Sequence, residues 1–185
     1  MFAGAAQAQA EARRRLLLHS TIAGVGTVLL LAVVLRRGRA LLLVLANVPF
    51  ALVGGVLAVF ATGGLLSLGS LVGFVTLFGI TIRNSILLVS HYEHLVNVEG
   101  LHWGLEAALR GAEERLVPIL MTALVTALGL LPLAVGSGEA GREIEGPMSI
   151  VILGGLLTST VLNLLVLPTL ALRFGRFRRE TERVA

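Results

Sequence analysis

The chain has 185 residues, of which 56% are hydrophobic and only 14% are charged. Because a soluble domain carries about a quarter charged residues, this deficit indicates a protein whose solvent is lipid. The sequence contains no Cys and no Asp, which excludes disulfides, thiolate metal sites and any mechanism that needs an aspartate of this chain.

Five stretches are long enough to cross a hydrocarbon core, which needs about 20 apolar residues per helix. We therefore predict an all-α membrane protein, a bundle of five transmembrane helices over residues 16–172. Residues 1–15 form a helical lead-in or, equally, a frayed tail, and residues 173–185 form a basic cytoplasmic tail. The spans are approximately 16–35, 40–61, 71–90, 117–135 and 148–172. The first is too long for a cleaved signal peptide and precedes no small-residue cleavage site.

The longest polar connection, residues 91–116, contains an amphipathic segment from Glu99 to Leu116. Apolar residues recur there near helical spacing, with charged residues between them. We expect this segment to lie along the inner membrane surface. Pro118, at a position where proline is tolerated, then opens the fourth span.

The arginines orient the predicted bundle, since every basic residue is Arg and cytoplasmic loops are enriched in positive charge. A cytoplasmic C-terminus places the larger set inside: Arg36, Arg37, Arg39, Arg110, Arg115, Arg173, Arg176, Arg178, Arg179 and Arg183. The smaller set lies outside: Arg13, Arg14, Arg15 and Arg142. Three consecutive arginines resist translocation unless something larger precedes them, so we expect that Met1 is not the natural beginning of the folded unit. Clusters beside apolar runs favour membrane topology over nucleic-acid binding.

Arg83 is the polar residue that most strongly suggests a function, because it is charged and lies within the predicted third span. It follows Leu71 by 12 residues, roughly 18 Å at 1.5 Å per residue. Insertion of a charge at such depth costs at least ~2.5–3.5 kcal/mol, so such a residue usually faces a partner or a water-filled path. The alternative is snorkelling toward the inner headgroups. No Glu falls inside any predicted span, so the expected counter-charge is a carboxylate from outside this sequence.

Arg115 stands just before the predicted fourth span, and Thr122 and Thr126 share a face one and two turns inside it. Their hydroxyls would extend a polar path inward from Arg115. Alternatively, Arg115 is a topological anchor, and each threonine bonds back to the carbonyl four residues earlier.

Small residues recur at spacings that allow helices to approach closely. We expect packing contacts at Gly54, Gly55, Gly79, Gly154, Gly155 and Thr158. Asn47 and Asn163 interrupt apolar runs, and we expect them to bond between helices rather than to bind a ligand.

Enzymatic or metal-binding chemistry finds little support. His91 and His94 are three residues apart but lack a third ligand nearby. The sequence has no phosphate-binding loop and no arrangement of nucleophile and base. We therefore expect neither a catalytic residue nor a bound metal.

Two long stretches resemble the last membrane helices of the resistance–nodulation–division (RND) efflux permeases. They are LVGFVTLFGITIRNSILLVSHYEHL (71–95) and ERLVPILMTALVTALGLLPLAVGSGEAGREIEGPMSIVILGGLLTSTVLNLLVLP (114–168). The upstream run LLLVLANVPFALVGGVLAVFATGGLLSLGSLVGF resembles the eighth and ninth helices of that family, so the five spans resemble helices eight to twelve. The stretch GSGEAGREIEGPMSIVILGG is most similar to the heavy-metal, CusA/CzcA-like branch.

The resemblance implies a proton-driven antiporter of the bacterial inner membrane, powered by the proton-motive force without a cofactor. A basic residue of the tenth helix and an arginine and a threonine at the eleventh contact aspartates of the fourth helix in this family. These roles fall on Arg83, Arg115 and Thr122. Arg83 stands where the multidrug branch has lysine, and an arginine keeps the charge but cannot deprotonate.

The implied partners are an N-terminal half carrying the aspartates, a trimeric assembly, a periplasmic adaptor and an outer-membrane channel. The leading hypothesis is therefore the C-terminal membrane part of an RND permease that exports metal cations or drugs, with its N-terminus periplasmic and its C-terminus cytoplasmic, and not competent alone. The alternative is an accessory or vestigial five-helix module that associates with other subunits without transport. A third hypothesis, an autonomous channel, is disfavoured, because the sequence offers no ring of charged residues and no selectivity filter.

Overall fold

The computed structural model describes residues 2–35, 38–64 and 66–175, which form five α-helices and no β-strand. The helices are α1 (Phe2–Leu35), α2 (Gly38–Ala61), α3 (Leu68–Asn97), α4 (Leu105–Val135) and α5 (Glu145–Phe174). All five are long and apolar enough to cross a membrane, with mean hydropathies of 1.8 to 2.3. The predicted fold class is confirmed. Arg36, Arg37 and residues 176–185 of the predicted tail lie outside the described residues.

The helices extend beyond the apolar stretches that define the predicted spans. α1 is continuous from Phe2, so residues 2–15 belong to the same helix as the first span. α3 begins after Ser67, whose hydroxyl accepts the backbone N–H of Ser70 at 3.1 Å, and continues to Asn97. The polar ends therefore prolong the helices instead of forming separate elements.

The amphipathic segment before Pro118 is not a separate surface helix, contrary to the sequence-based expectation. α4 is one helix from Leu105 to Val135, and Pro118 lies inside it. The turns before the proline are held by burial of Ala107, Ala108 and Gly111. A Cβ on Gly111 would lie 2.6 Å from the ring of Tyr92, so α4 packs tightly on α3 there. This packing offsets the one backbone hydrogen bond that a proline removes.

Three helices, α2, α3 and α5, form the centre of the bundle. In each of them 44% of the most apolar window is buried, against 6% in α1 and in α4. Leu77, Leu88 and Val89 of α3 and Leu167 of α5 are fully buried in this centre. α5 contacts α2, α3 and α4, whereas α1 touches α2 and α3 only lightly. The outer faces of α1 and α4 are consequently covered by nothing in the described chain.

Glycines let α2 and α5 approach backbone to backbone. A Cβ on Gly54 would lie 2.6 Å from the carbonyl oxygen of Gly154, and one on Gly154 would lie 2.8 Å from the carbonyl oxygen of Gly54. Thr158 lies against the same Gly54 and donates its hydroxyl to the carbonyl of Gly155 at 3.0 Å. In lipid, where burial of apolar surface gives helices little reason to associate, such close contact is a main source of stability.

Two further glycines admit α3 into the same centre. A Cβ on Gly55 would lie 2.8 Å from the ring of Phe74, and one on Gly155 would overlap the side chain of Leu77. α3 thus fits into the groove that α2 and α5 leave between them.

The loop between α4 and α5 is ordered by its own charges. Arg142 pairs with Glu139 at 3.2 Å, and Gly138 and Gly141 turn the chain with φ of 104° and 87°. The Glu143 carboxylate accepts its own backbone N–H and that of Gly141, and these hydrogen bonds hold its pKa below the usual range. The loop therefore favours the ionised form of Glu143 at neutral pH.

We expect Gly54→Ala to lower the free energy of unfolding by about 1–3 kcal/mol, because the added methyl overpacks the α2–α5 contact. Unfolding in mixed micelles of increasing SDS content measures the change. Gly26→Ala in α1 is the control, since a Cβ there meets nothing within 4 Å. Equal effects of the two substitutions would contradict the close approach of α2 and α5.

Candidate functional site

Three polar side chains meet in the centre of the bundle, one from each of its helices. The Asn47 amide of α2 donates to the Asn163 Oδ1 of α5 at 2.5 Å and to the Ser85 Oγ of α3 at 2.8 Å. Ser85 donates in turn to the Thr81 carbonyl at 2.9 Å. All three members are at most 2% exposed. The expectation that Asn47 and Asn163 bond between helices is confirmed, and we call Asn47, Ser85 and Asn163 the asparagine–serine triad.

The triad determines which way Arg83 faces. Arg83 precedes Ser85 by two residues, about 200° around a helix of 3.6 residues per turn, so it points away from the buried triad. Arg83 is exposed, and no ion pair or hydrogen bond joins it to another described residue. An arginine in the apolar part of α3 is thus presented outward without a counter-charge from the described part of the chain.

Arg83 lies on a stripe of α3 that nothing in the described chain covers. Thr76 and Gly79 precede it on that stripe, and Leu87, 43% exposed, follows. A Cβ on Gly79 would meet no atom within 4 Å, unlike one on Gly54, Gly55, Gly154 or Gly155. Of the six small residues expected at packing contacts, Gly79 therefore lies outside the α2–α3–α5 contacts and on the same open stripe as Arg83.

Thr122 and Thr126 use their hydroxyls within α4. Thr122 donates to the Pro118 carbonyl at 2.9 Å and Thr126 to the Thr122 carbonyl at 2.8 Å. The alternative in which each bonds four residues back is the one observed, and no hydrogen bond joins Thr122 to Arg115. The hydroxyl oxygens keep acceptor capacity toward the exposed side of α4.

Arg115 belongs to a charged network that ties the end of α3 to the start of α4. Its guanidinium approaches the Nδ1 of His91 at 3.4 Å, while the Nε2 of His91 lies 2.6 Å from Glu114. Arg110 contacts Glu114 and Glu99, both at 2.8 Å. A neutral His91 with its proton on Nε2 satisfies both partners, donating to Glu114 and accepting from Arg115.

The structure does not bring the three predicted relay residues together. No contact among the described residues joins Arg83 to Arg115 or to Thr122. The described part of the chain also contains no group of three or more His, Cys, Asp or Glu placed to hold a metal ion. Arg83 and Thr122 instead lie on open faces of α3 and α4, while Arg115 lies in the charged network between these helices.

The role of His91 was missed by the sequence analysis, which considered it only as a metal ligand. The sequence offers no direct signal for this role, because the predicted connection runs over residues 91–116 and only the structure shows how short it is. Helices α3 and α4 are joined by residues 98–104 alone, which places His91 opposite the charged run at Glu113, Glu114 and Arg115.

Comparison with known proteins places these features in a family. The AcrB/AcrD/AcrF family pattern matches residues 1–174. The chain is 45% identical over 130 residues to the cobalt-zinc-cadmium resistance protein CzcA of Cupriavidus metallidurans, covering 70% of this chain and 12% of CzcA. It is 38% identical to the multidrug resistance protein MdtC of Erwinia tasmaniensis, covering 75% of this chain and 13% of that protein.

A solved structure agrees with the sequence comparisons. A crystal structure of a heavy metal efflux pump matches with a TM-score of 0.75 and 36% identity over 89% of this chain and 16% of the pump. The chain thus spans only about an eighth of the length of the relatives CzcA and MdtC. The chain belongs to the AcrB/AcrD/AcrF family, and its relatives include heavy-metal efflux proteins.

We expect Asn47→Leu to lower the free energy of unfolding by about 1–2 kcal/mol, because it removes the donor of the short hydrogen bonds to Asn163 and Ser85 in lipid. Unfolding of the purified chain in mixed micelles measures this. Asn97→Leu, at the exposed end of α3, is the matched control. A loss as large in the control as in Asn47→Leu would contradict the stabilising role of the triad.

We also expect His91→Ala and Glu114→Gln to be non-additive, since each removes the same bridge between α3 and α4. The double variant then unfolds at about the same denaturant concentration as the less stable single variant. Glu113→Gln is the matched control, because Glu113 is exposed and pairs with no described residue. Strict additivity of His91→Ala with Glu114→Gln would show that the bridge contributes nothing.

Proposed function

We propose that this chain is the C-terminal membrane portion of a proton-driven efflux antiporter of the bacterial inner membrane. The chain belongs to the AcrB/AcrD/AcrF family but covers only about an eighth of the length of its relatives. Both facts support a role as one part of a larger permease. In this proposal the chain supplies half of a proton-coupling site. Binding and movement of substrate need the regions outside it.

The observation that carries the proposal is the outward-facing Arg83, which pairs with no other described residue. A charge in the apolar part of a transmembrane helix is costly and normally has a partner. No described carboxylate faces it, and Gly79 next to it leaves room for another helix to approach closely. A helix that carries a carboxylate and packs on the open stripe of α3 satisfies both features.

Arg83 acts in this proposal by biasing the protonation of that carboxylate. A guanidinium within about 4–6 Å lowers the pKa of a carboxyl group by about 1–3 units, because it stabilises the ionised form. Arginine itself keeps its proton under all physiological conditions. The transported proton therefore resides on the partner carboxylate, and Arg83 determines the pH at which it leaves.

Arg115 and Thr122 provide a second point of contact for the same partner. Arg115 is half-buried, and one of its five N–H donors approaches His91, which leaves others for a carboxylate. The Thr122 hydroxyl is exposed on α4 and accepts hydrogen bonds on its open side. A protonated carboxyl group donates to such an oxygen, whereas an ionised one favours the arginines.

We infer that the exported substrate is a metal cation rather than a drug. The 45% identity to a cobalt-zinc-cadmium resistance protein, against 38% to a multidrug resistance protein, supports this substrate class. The proposed assembly is a trimer with a periplasmic adaptor and an outer-membrane channel. The arginine distribution supports a periplasmic N-terminus and a cytoplasmic C-terminus.

We expect Arg83→Ala to abolish Zn²⁺ efflux when the complementing N-terminal half is co-expressed. Loss of the guanidinium raises the pKa of the partner carboxylate by about 1–3 units, so at a fixed pH the ratio of its ionised to its protonated form falls by about ten- to a thousandfold. Everted vesicles with a pH-sensitive dye report the coupled proton movement. Arg83→Lys keeps the charge and retains measurable flux.

Arg142→Ala is the matched control, since that arginine pairs with Glu139 in the loop between α4 and α5. We expect it to transport as the unsubstituted chain does. Full Zn²⁺ efflux by Arg83→Ala would overturn the proton-coupling role. An unsubstituted chain that inserts and associates with the N-terminal half without any proton-coupled flux would support the non-transporting accessory module instead.

A further inference from the structure

A groove between the start of α2 and the end of α5 combines two arginines with an apolar wall. Its volume is about 450 Å³, and its lining includes Arg39 and Arg173. The apolar lining comes from one face of each helix: Leu42 and Ala46 of α2, Leu170 and Phe174 of α5. This volume falls within the range of about 300–1,000 Å³ that is typical of small-molecule sites.

The two guanidiniums share the groove without a counter-charge from the described residues. No carboxylate lines it, and neither Arg39 nor Arg173 forms an ion pair with another described residue. Arg173 stacks near the ring of Phe174, 6.0 Å from its centre, which leaves its charge in place. Two like charges beside one cavity create a positive potential that attracts an anion.

The position of Arg39 strengthens that potential. It lies in the first turn of α2, which contains no acidic residue. The free N–H groups of a helix N-terminus carry a partial positive charge, so a basic residue there is unfavourable unless an anion lies nearby. No acidic residue of that turn offsets the charge of Arg39.

The opposite end of the groove is apolar and faces outward. Leu42 is 66% exposed, and Leu42, Ala46 and Leu170 all lie within apolar helices long enough to span a membrane. The arginines lie at the ends of those helices, at the depth of lipid headgroups. One site thus offers two cations at headgroup depth and a hydrocarbon surface directly beside them.

We propose that this groove binds an anionic phospholipid, with the phosphate between Arg39 and Arg173 and an acyl chain along Leu42, Ala46 and Leu170. A soluble anion gains no favourable contact from the apolar wall. The positive group of a zwitterionic lipid is repelled by the two arginines. The site is separate from the open stripe of α3 and does not depend on the proposed transport function.

The test compares phosphatidylglycerol with phosphatidylcholine of the same acyl chains. Native mass spectrometry of the purified chain in detergent gives the affinity for each lipid. We expect phosphatidylglycerol to bind more tightly, and the double variant Arg39→Gln/Arg173→Gln to bind it roughly 25-fold more weakly, about fivefold for each arginine near an anionic headgroup. Ala46→Phe, which fills the apolar part, also weakens binding.

Arg13→Gln/Arg14→Gln is the matched control, because it removes the same charge from α1, outside the groove. It should leave phosphatidylglycerol binding unchanged. The proposal is overturned by equal affinity for the two lipids, by a control variant that loses as much affinity as the double variant, or by displacement of the lipid with millimolar inorganic phosphate. Should the double variant fail to fold, the single substitutions and Ala46→Phe decide the question in the same way.

Discussion

The hydrogen bonds among Asn47, Ser85 and Asn163 are the constraint on which the rest of the bundle depends. In lipid, a buried amide group without a partner is costly. The triad therefore favours one rotation of each central helix over its neighbours. Ser85 must face the centre, and a residue two positions away on the same helix must then face outward. The outward orientation of Arg83 is a consequence of a contact that Arg83 itself does not make.

Glycine contacts act together with the triad to define how α2, α3 and α5 pack. Gly54 and Gly154 bring the backbones of α2 and α5 together, and Gly55 and Gly155 make room for α3. Hydrogen bonds specify rotation, and close backbone contact specifies distance, so together they define a centre of three helices. α1 and α4 are attached to this centre at their edges, which leaves wide apolar faces on both.

Much of this architecture could be predicted from the sequence, because lipid imposes strong rules on composition. The five apolar stretches follow from segment length, and the expectation that Asn47 and Asn163 bond between helices follows from the cost of an isolated amide in hydrocarbon. The continuity of α4 through Pro118 could not be predicted, since it depends on the packing of Gly111 against Tyr92, a tertiary contact. The bridge from His91 to Glu114 was missed for a related reason: each residue is unremarkable until the short turn brings the two helices together. The open face around Arg83 could not be predicted for a similar reason. It depends on which glycines pack against another helix of this chain, and Gly79 is one that does not.

Because the helices are buried to different extents, they also differ in how easily they can move. α2, α3 and α5 are joined by side-chain hydrogen bonds and by close glycine contacts, so they move together under a load. α1 has only 6% of its apolar window buried and no described side-chain hydrogen bond to another helix. Its tilt can therefore change at little energetic cost from this chain. A force applied along α1 would mainly reorient that helix. A force applied to α3 would move α2, α3 and α5 together, and Arg83 with them.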